Sequence, residues 1–353
     1  VKSKASDLHI RVGTPPIFRI NGSLVKIFDT RIDPAMMDSF LDDIMNRDQK
    51  QRFETNKECD FAVGARDMGR FRVNVFRQRG TIAVVIRHIK AKIPPFEELG
   101  LPEVVKDLAL TRRGLILVTG TTGSGKSTTL ASMLDYINQN ESVNIITVED
   151  PIEYLYNDNK AIISQRELGV DTLSYANALR AALRQDPDVL LVGEIRDLET
   201  MAIALTAADT GHMVFATIHT TNATETIQRV LSMYPPHQHD EIRLLLAEVL
   251  AGIISLRLLP TKDGKGRVPA AEILVNTAAI KEYIKDKDKL AMVETAIAEG
   301  HMQYHSQTFD QSLLELYNEE KISLDVALNA ATNRDDFELK IRGITGTSER
   351  GWM

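Results

Sequence analysis

Apolar and polar positions follow two different rhythms along this chain. In the first few dozen residues Leu8, Ile10 and Val12 interleave with His9 and Arg11, the period of a half-buried strand. Residues 17–20 and 24–27 are two further short runs that flank Asn21-Gly22, a hairpin-turn signal. Over residues 34–53 the spacing changes: Met36, Met37, Phe40, Leu41 and Ile44 recur every three or four positions, which predicts one helix. Strand patterns return over 61–63, 71–76 and 82–86, so residues 1–90 predict a small mixed α/β domain. Pro94-Pro95, Gly100 and Pro102 then break any regular element. Residues 91–103 therefore predict an extended linker that could serve as a hinge.

From residue 104 onward helical stretches alternate with uninterrupted apolar runs. The runs are 115–118, 143–148, 189–192 and 213–218; the helical stretches are 127–138, 175–184 and 199–209. Strands without polar alternation are buried on both faces, so this part, 104–353, predicts a mostly parallel sheet covered by helices. Ligands of such sheets sit beyond the carboxyl ends of the strands. Gly120, Glu149, Glu194 and His219 all fall at those ends. Beyond Arg243 the chain reads as largely helical with one strand-like piece at 270–275, and residues 343–353 read as a mobile polar tail.

Gly120-Thr121-Thr122-Gly123-Ser124-Gly125-Lys126-Ser127, followed by Thr128, fits the G-x-x-x-x-G-K-[ST] phosphate loop, with the strand before and the helix after that the motif requires. Its glycines let backbone N–H groups turn toward phosphates, and the following helix adds positive partial charge. Lys126 would reach the β- and γ-phosphates of ATP, and Ser127 would place its hydroxyl on Mg²⁺. Glu194 closes an apolar strand as a Walker B acid does and would hold Mg²⁺ directly or through a water; otherwise it is an exposed strand-end acid. Glu149 is the candidate general base or water-orienting group, with Asp150 and Glu153 less defined. His219 is placed to sense the γ-phosphate or is merely structural. His212 reads as a strand-start cap, and His237 and His239 as loop residues.

Composition narrows the partners. The 353 residues are 43% hydrophobic and 26% charged, ordinary for a soluble globular protein. No apolar run approaches the ~20 residues that span a bilayer, which argues against direct membrane insertion. The start, Val1-Lys2-Ser3-Lys4, lacks Met and an apolar signal core, so it reads as trimmed and not secretory. A single cysteine, Cys59, excludes an intrachain disulfide and a four-cysteine zinc site, and suits a reducing cytosol. The net charge of −7 argues against nucleic acid as the main partner. Arg70, Arg72, Arg77, Arg79 and Arg87 nevertheless crowd two adjacent strands. They form either a solvated basic face or a set that reaches a nucleotide held by another subunit.

Taken together, Ser6-Asp7-Leu8-His9, Arg70 to Asn74, Gly120 to Thr128, Glu149-Asp150-Pro151-Ile152-Glu153, Val192 to Asp197 and Thr210 to Thr221 are similar to the motifs of one family. The chain resembles the retraction ATPases of type IV pili, the PilT/PilU branch of the type II/IV secretion ATPase superfamily. The resemblance covers essentially the whole chain. It implies a RecA-like P-loop ATPase domain preceded by a smaller PAS-like α/β domain, a homohexameric ring, and ATP bound between the two domains. It also implies that Arg72 and Arg87 approach the nucleotide of a neighbouring subunit and that Arg229 is a functional arginine. An arginine supplied in trans is worth ~10³–10⁵ in rate in other P-loop enzymes. The implied setting is cytoplasmic, at the inner-membrane base of the pilus machine. The implied partners are a PilC-like platform protein and a paralogous retraction ATPase. In the family, the lack of a four-cysteine motif speaks against the extension and secretion motors, which remain the alternative reading. A hexameric nucleic-acid translocase is the more distant one. One departure stands out: Ala279-Ile280-Lys281 carries Lys where retraction enzymes have Arg, keeping the charge but not the planar fork of donors.

Overall fold

The computed structural model describes residues 5–20, 23–65, 69–89 and 92–341. The Asn21-Gly22 turn and the tail from 343 lie outside the described residues. Two compact units divide the chain: residues 1–92 together with 151–155, and residues 93–150 together with 156–353.

The first unit is a six-stranded antiparallel sheet, order β3-β2-β1-β6-β5-β4. Its strands are β1 (Asp7–Arg11), β2 (Ile17–Ile20), β3 (Ser23–Lys26), β4 (Glu58–Ala65), β5 (Gly69–Gln78) and β6 (Thr81–His88). Two helices lie between β3 and β4 in sequence, α1 (Pro34–Ile44) and α2 (Arg47–Asn56), where the apolar spacing predicts one. The break has a local cause. Asn46 accepts from the Gln49 N–H while Gln49 returns a bond to the Asn46 N–H, a reciprocal cap that starts a new helix. Met37, Leu41, Met45 and Phe53 from this pair bury against Phe61, Val73, Val75 and Val84 of the sheet.

The second unit is a seven-stranded sheet, order β13-β12-β7-β11-β10-β8-β9, parallel except where β13 meets β12. After a 3₁₀ turn at Phe96–Glu98 and α3 (Val104–Ala109) come β7 (Gly114–Thr119), α4 (Lys126–Asn140), β8 (Asn144–Glu149) and β9 (Ile162–Glu167). Next are α5 (Tyr175–Ala182), β10 (Val189–Val192), α6 (Leu198–Asp209), β11 (Met213–Ile218), α7 (Ala223–Ser232) and α8 (His239–Val249). Then follow β12 (Leu250–Pro260) and β13 (Arg267–Val275). Helices α9 (Ala278–Lys285), α10 (Val293–Glu299), α11 (His301–Tyr304), α12 (Phe309–Asn318), α13 (Leu324–Ala330) and α14 (Arg334–Ile341) complete the unit. Strands β7, β10 and β11 are buried at every position, so each side of the sheet faces a separate apolar core.

Two parts of the sequence reading are corrected here. The stretch after Arg243 is not helical with a single strand-like piece: β12 is the longest strand of the sheet and pairs in parallel with β7. Its Leu-Ala-Gly-Ile-Ile-Ser-Leu run is buried on both faces, so it shows no alternation to tell strand from buried helix. The proline-rich stretch is also less extended than its composition predicts. Phe96 sits in its 3₁₀ turn, 5% exposed, within one of the two cores, and Lys106 lies over the rings of Phe96 and Tyr136.

Candidate nucleotide site

The loop between β7 and α4 takes its shape from three glycines with positive φ: Gly120 at 137°, Gly123 at 82° and Gly125 at 104°. At Gly120 the requirement is double. A Cβ there would stand 2.5 Å from the Leu256 carbonyl oxygen and 2.5 Å from Ser124 Oγ, closer than any side chain tolerates. The loop therefore curls with its backbone pressed on β12, and α4 begins at Lys126. Lys126 Nζ donates to the carbonyl oxygens of Gly120 at 2.7 Å and Thr121 at 3.1 Å. Ser124 Oγ is buried without a hydrogen-bond partner. A glycine-shaped loop at a helix start, with a buried ammonium and an unpaired buried hydroxyl, suits a polyphosphate, and the residues present fit the group that the sequence predicts.

Strands β7, β11, β10 and β8 are consecutive neighbours in the sheet, so the four sequence-picked positions Gly120, His219, Glu194 and Glu149 line one edge of it. Each acid is held differently. Glu149 is 9% exposed; its Oε1 accepts from Thr147 Oγ1 at 2.6 Å and from Gln165 Nε2 at 3.2 Å. Glu194, two residues past β10, accepts from Arg196 at 2.5 Å and lies 3.2 Å from His219 Nε2. The Arg196 hydrogen bond, with the nearby charges of Arg196, His219 and Lys126, holds the Glu194 carboxyl below the usual range in spite of partial burial. Near the acids stands Tyr175, whose phenol is pushed well above its ordinary range by burial and by Asp150, Glu194 and Glu149. Gly193 makes this crowding feasible, since a Cβ there would lie 3.1 Å from Glu149 Cα and 3.1 Å from the Tyr175 hydroxyl. The edge thus gathers Lys126, Arg196 and the carboxylates of Glu149 and Glu194 at the carboxyl ends of adjacent strands, a donor set suited to a phosphate-bound divalent ion.

The remaining candidates divide. His212 Nδ1 bonds to the Ala207 carbonyl oxygen, consistent with a capping role. His239 Nε2 bonds to Tyr234 O, and no cluster of metal-ligating side chains occurs among the described residues. Glu153 is exposed and belongs to the first unit by its contacts. Arg229 is exposed in the last turn of α7. Arg72 and Arg87 are register partners across β5 and β6, and Arg87 is also opposite Asp7 on β1. Arg87 Nε donates to Asp7 Oδ1 at 2.8 Å, while Arg72 approaches Asp60 at 3.9 Å. Three partners were not singled out in the sequence: Gln165, on a strand whose pattern is not apolar; Arg196, present in the Walker B segment but without an assigned role; and Asp7, which becomes meaningful only through strand pairing.

Residues 1–321 match the model of the type II/IV secretion system protein family. The chain belongs to this family. It is 44% identical over 336 residues to the type IV pilus retraction ATPase PilT of Pseudomonas aeruginosa, covering 95% of this chain and 97% of that one. It is 41% identical over 342 residues to the type IV pilus ATPase PilU of the same organism, covering 97% and 89%. A crystal structure of the pilus retraction motor PilT with bound ADP superposes with a TM-score of 0.89 at 47% identity, covering 96% of each chain. The family brings the RecA-like ATPase fold expected for the second unit. No helix among the described residues is long and apolar enough to cross a membrane.

Proposed function

We propose that this chain is a motor ATPase that hydrolyses ATP to ADP and phosphate and uses the energy to retract type IV pili. The observation that carries the reading is the alignment of the Lys126 loop, His219, Glu194 and Glu149 along one edge of four adjacent strands. Near full-length likeness to PilT and PilU supports it. The loop, residues 120–128, holds the triphosphate, and Lys126 moves from its loop carbonyls to the β- and γ-phosphates. Ser127 and Glu194 would hold Mg²⁺, which would supply charge neutralisation on the phosphates. Glu149, fixed by Thr147 and Gln165, orients the attacking water and accepts its proton. His219, against Glu194, reports on the terminal phosphate.

The site is completed in this reading by a homohexameric ring in which Arg72 and Arg87 of one copy reach the nucleotide of the next, with Arg229 a further functional arginine of the motor domain. An N-terminal PAS-like domain over 1–90, a linker over 91–103 and a motor domain over 104–353 form the working parts. The ring works in the cytoplasm against a PilC-like platform protein at the inner membrane. Lys281 is the point where the direction of work is least like the retraction pattern. Its ammonium pairs with Glu248 of α8 at 3.1 Å, on a surface helix that also presents Lys285 to Glu248 at 3.0 Å.

Deletion of the gene in its host separates the directions. Loss of twitching with surface pili retained supports retraction; loss of surface pili assigns the motor to extension. Binding of labelled single-stranded DNA that falls steeply with salt would instead favour a translocase.

A further inference from the structure

The seven-stranded sheet carries a line of buried polar side chains outside the strand-edge cluster. Thr119 is the last residue of β7, directly before Gly120. Its hydroxyl lies 3.0 Å from Ser255 Oγ on β12, and both side chains are buried. In register beyond Ser255 stands Glu272 on β13, 5% exposed. Glu272 Oε1 accepts from the N–H of Ala223 at 2.6 Å. Ala223 is the first residue of α7, after its N-cap Asn222. That amide has no partner inside the helix, and a carboxylate is favoured at the positive helix end. The segment joining β11 to α7 is His219 to Asn222, and Arg229 sits in the last turn of α7.

We infer that Glu272 is a positioning residue for nucleotide turnover, anchoring the start of α7 and so the segment from His219 to Arg229 to the sheet that carries the phosphate loop. The inference rests on the roles proposed above for those two residues. Leu117, Ile253 and Leu274 alternate with Thr119, Ser255 and Glu272 on the same side of their strands and all lie in one apolar core. Packing alone would be served by a fourth apolar residue at 272, since a buried carboxylate is costly unless its hydrogen bonds recover the loss. What the carboxylate supplies is a strong acceptor for the first amide of α7. Arg257 of β12 faces it favourably, while Glu294 of α10 and Asp310 of α12 oppose its charge. Burial is the largest influence, and the net result pushes the Glu272 carboxyl up to about 7. The ionised form above that pH grips the amide; the protonated form below it accepts more weakly.

The test measures kcat and KM for ATP and amide hydrogen exchange along α7 in the full chain, comparing wild type with Glu272→Gln and, in parallel, Lys126→Ala. Glu272→Gln is expected to lower kcat about tenfold with KM changed less than about twofold, as misplacement of remote groups does. Exchange in the first turn of α7 should rise about tenfold as that turn opens. Wild-type kcat is expected to decline as pH falls through about 7, and that decline should flatten in the variant. Wild-type exchange, or wild-type kcat with an unaltered pH profile, would overturn the inference. Turnover surviving in Lys126→Ala would count against the nucleotide site itself, and the exchange data would still decide the anchoring of α7. Should Glu272→Gln not fold, Glu272→Asp keeps the charge but shortens the reach; faster exchange and lower kcat support the anchor, and wild-type values overturn it.

Discussion

At the edge of the seven-stranded sheet Lys126 and Glu149 are fixed by buried backbone and short hydrogen bonds, whereas on the six-stranded sheet Arg72 and Arg87 stand well exposed beside carboxylates. The first arrangement is prepared before any ligand arrives, because glycine geometry and strand ends place each group. The second is a row: Arg19, Asp7, Arg87 and Arg72 follow one another across β2, β1, β6 and β5 in register. Arg87 keeps 67% of its side chain exposed while Asp7 keeps 8%. A buried acid at the root of an exposed arginine leaves the guanidinium tip available and limits where it can swing. Preparation by burial suits groups that bind; tethering at one end suits groups that reach.

The comparison can be broken at its strongest point first. Lys126→Ala removes the ammonium from the loop and is expected to leave no ATP turnover above background, since charge neutralisation dominates phosphoryl transfer; a steady-state phosphate-release assay reads it. Arg72→Ala and Arg87→Ala come next, with an expected loss of ~10³-fold if each reaches the neighbouring site. Mixing Arg72→Ala subunits with Lys126→Ala subunits should restore part of the activity, because some sites then combine an intact loop with an intact arginine. Absence of recovery at every mixing ratio would return the row to a solvated basic face.

The sequence shows what is written in local patterns and hides what depends on pairing between distant strands. The loop could be read because glycine spacing and a strand–loop–helix order are contiguous in sequence, and Glu149, Glu194 and His219 because apolar runs mark strand ends. β12 was missed because a strand buried on both faces lacks alternation, and with it the contact that makes Gly120 necessary. Arg87 could be suspected as one of several arginines. Its tether to Asp7, 80 positions away, appears only when β1 and β6 are placed side by side. Gly120→Ala tests the contact with β12. Its positive φ and the Leu256 oxygen at 2.5 Å should cost about 3 kcal/mol of stability, read by urea unfolding, whereas Gly123→Ala has no atom within 4 Å and should lose only the backbone-strain part.

The smallest effect belongs to the tether. Asp7 is held below the ordinary aspartate range: burial opposes the shift, but hydrogen bonds from Arg87 and Ser6, with the charges of Arg87 and His9, outweigh it. A carboxyl whose folded pKa is depressed contributes stability above its unfolded value, near pH 4, and that contribution is lost as pH falls through the folded value. Because Arg87 is mostly in solvent, the contribution is screened and should be about 1 kcal/mol or less. Asp7→Asn is therefore expected to lower the melting temperature by a few degrees at pH 7, with the difference from wild type shrinking below pH 4. The change in activity should exceed what this stability loss implies, since the arginine loses its anchor while keeping its charge. Adding Arg87→Ala to Asp7→Asn then separates the alternatives. If Asp7 acts through Arg87, the second substitution makes the double variant no slower than Arg87→Ala alone. If the two losses simply multiply, Asp7 has a separate role and the tether is not what the strand register suggests.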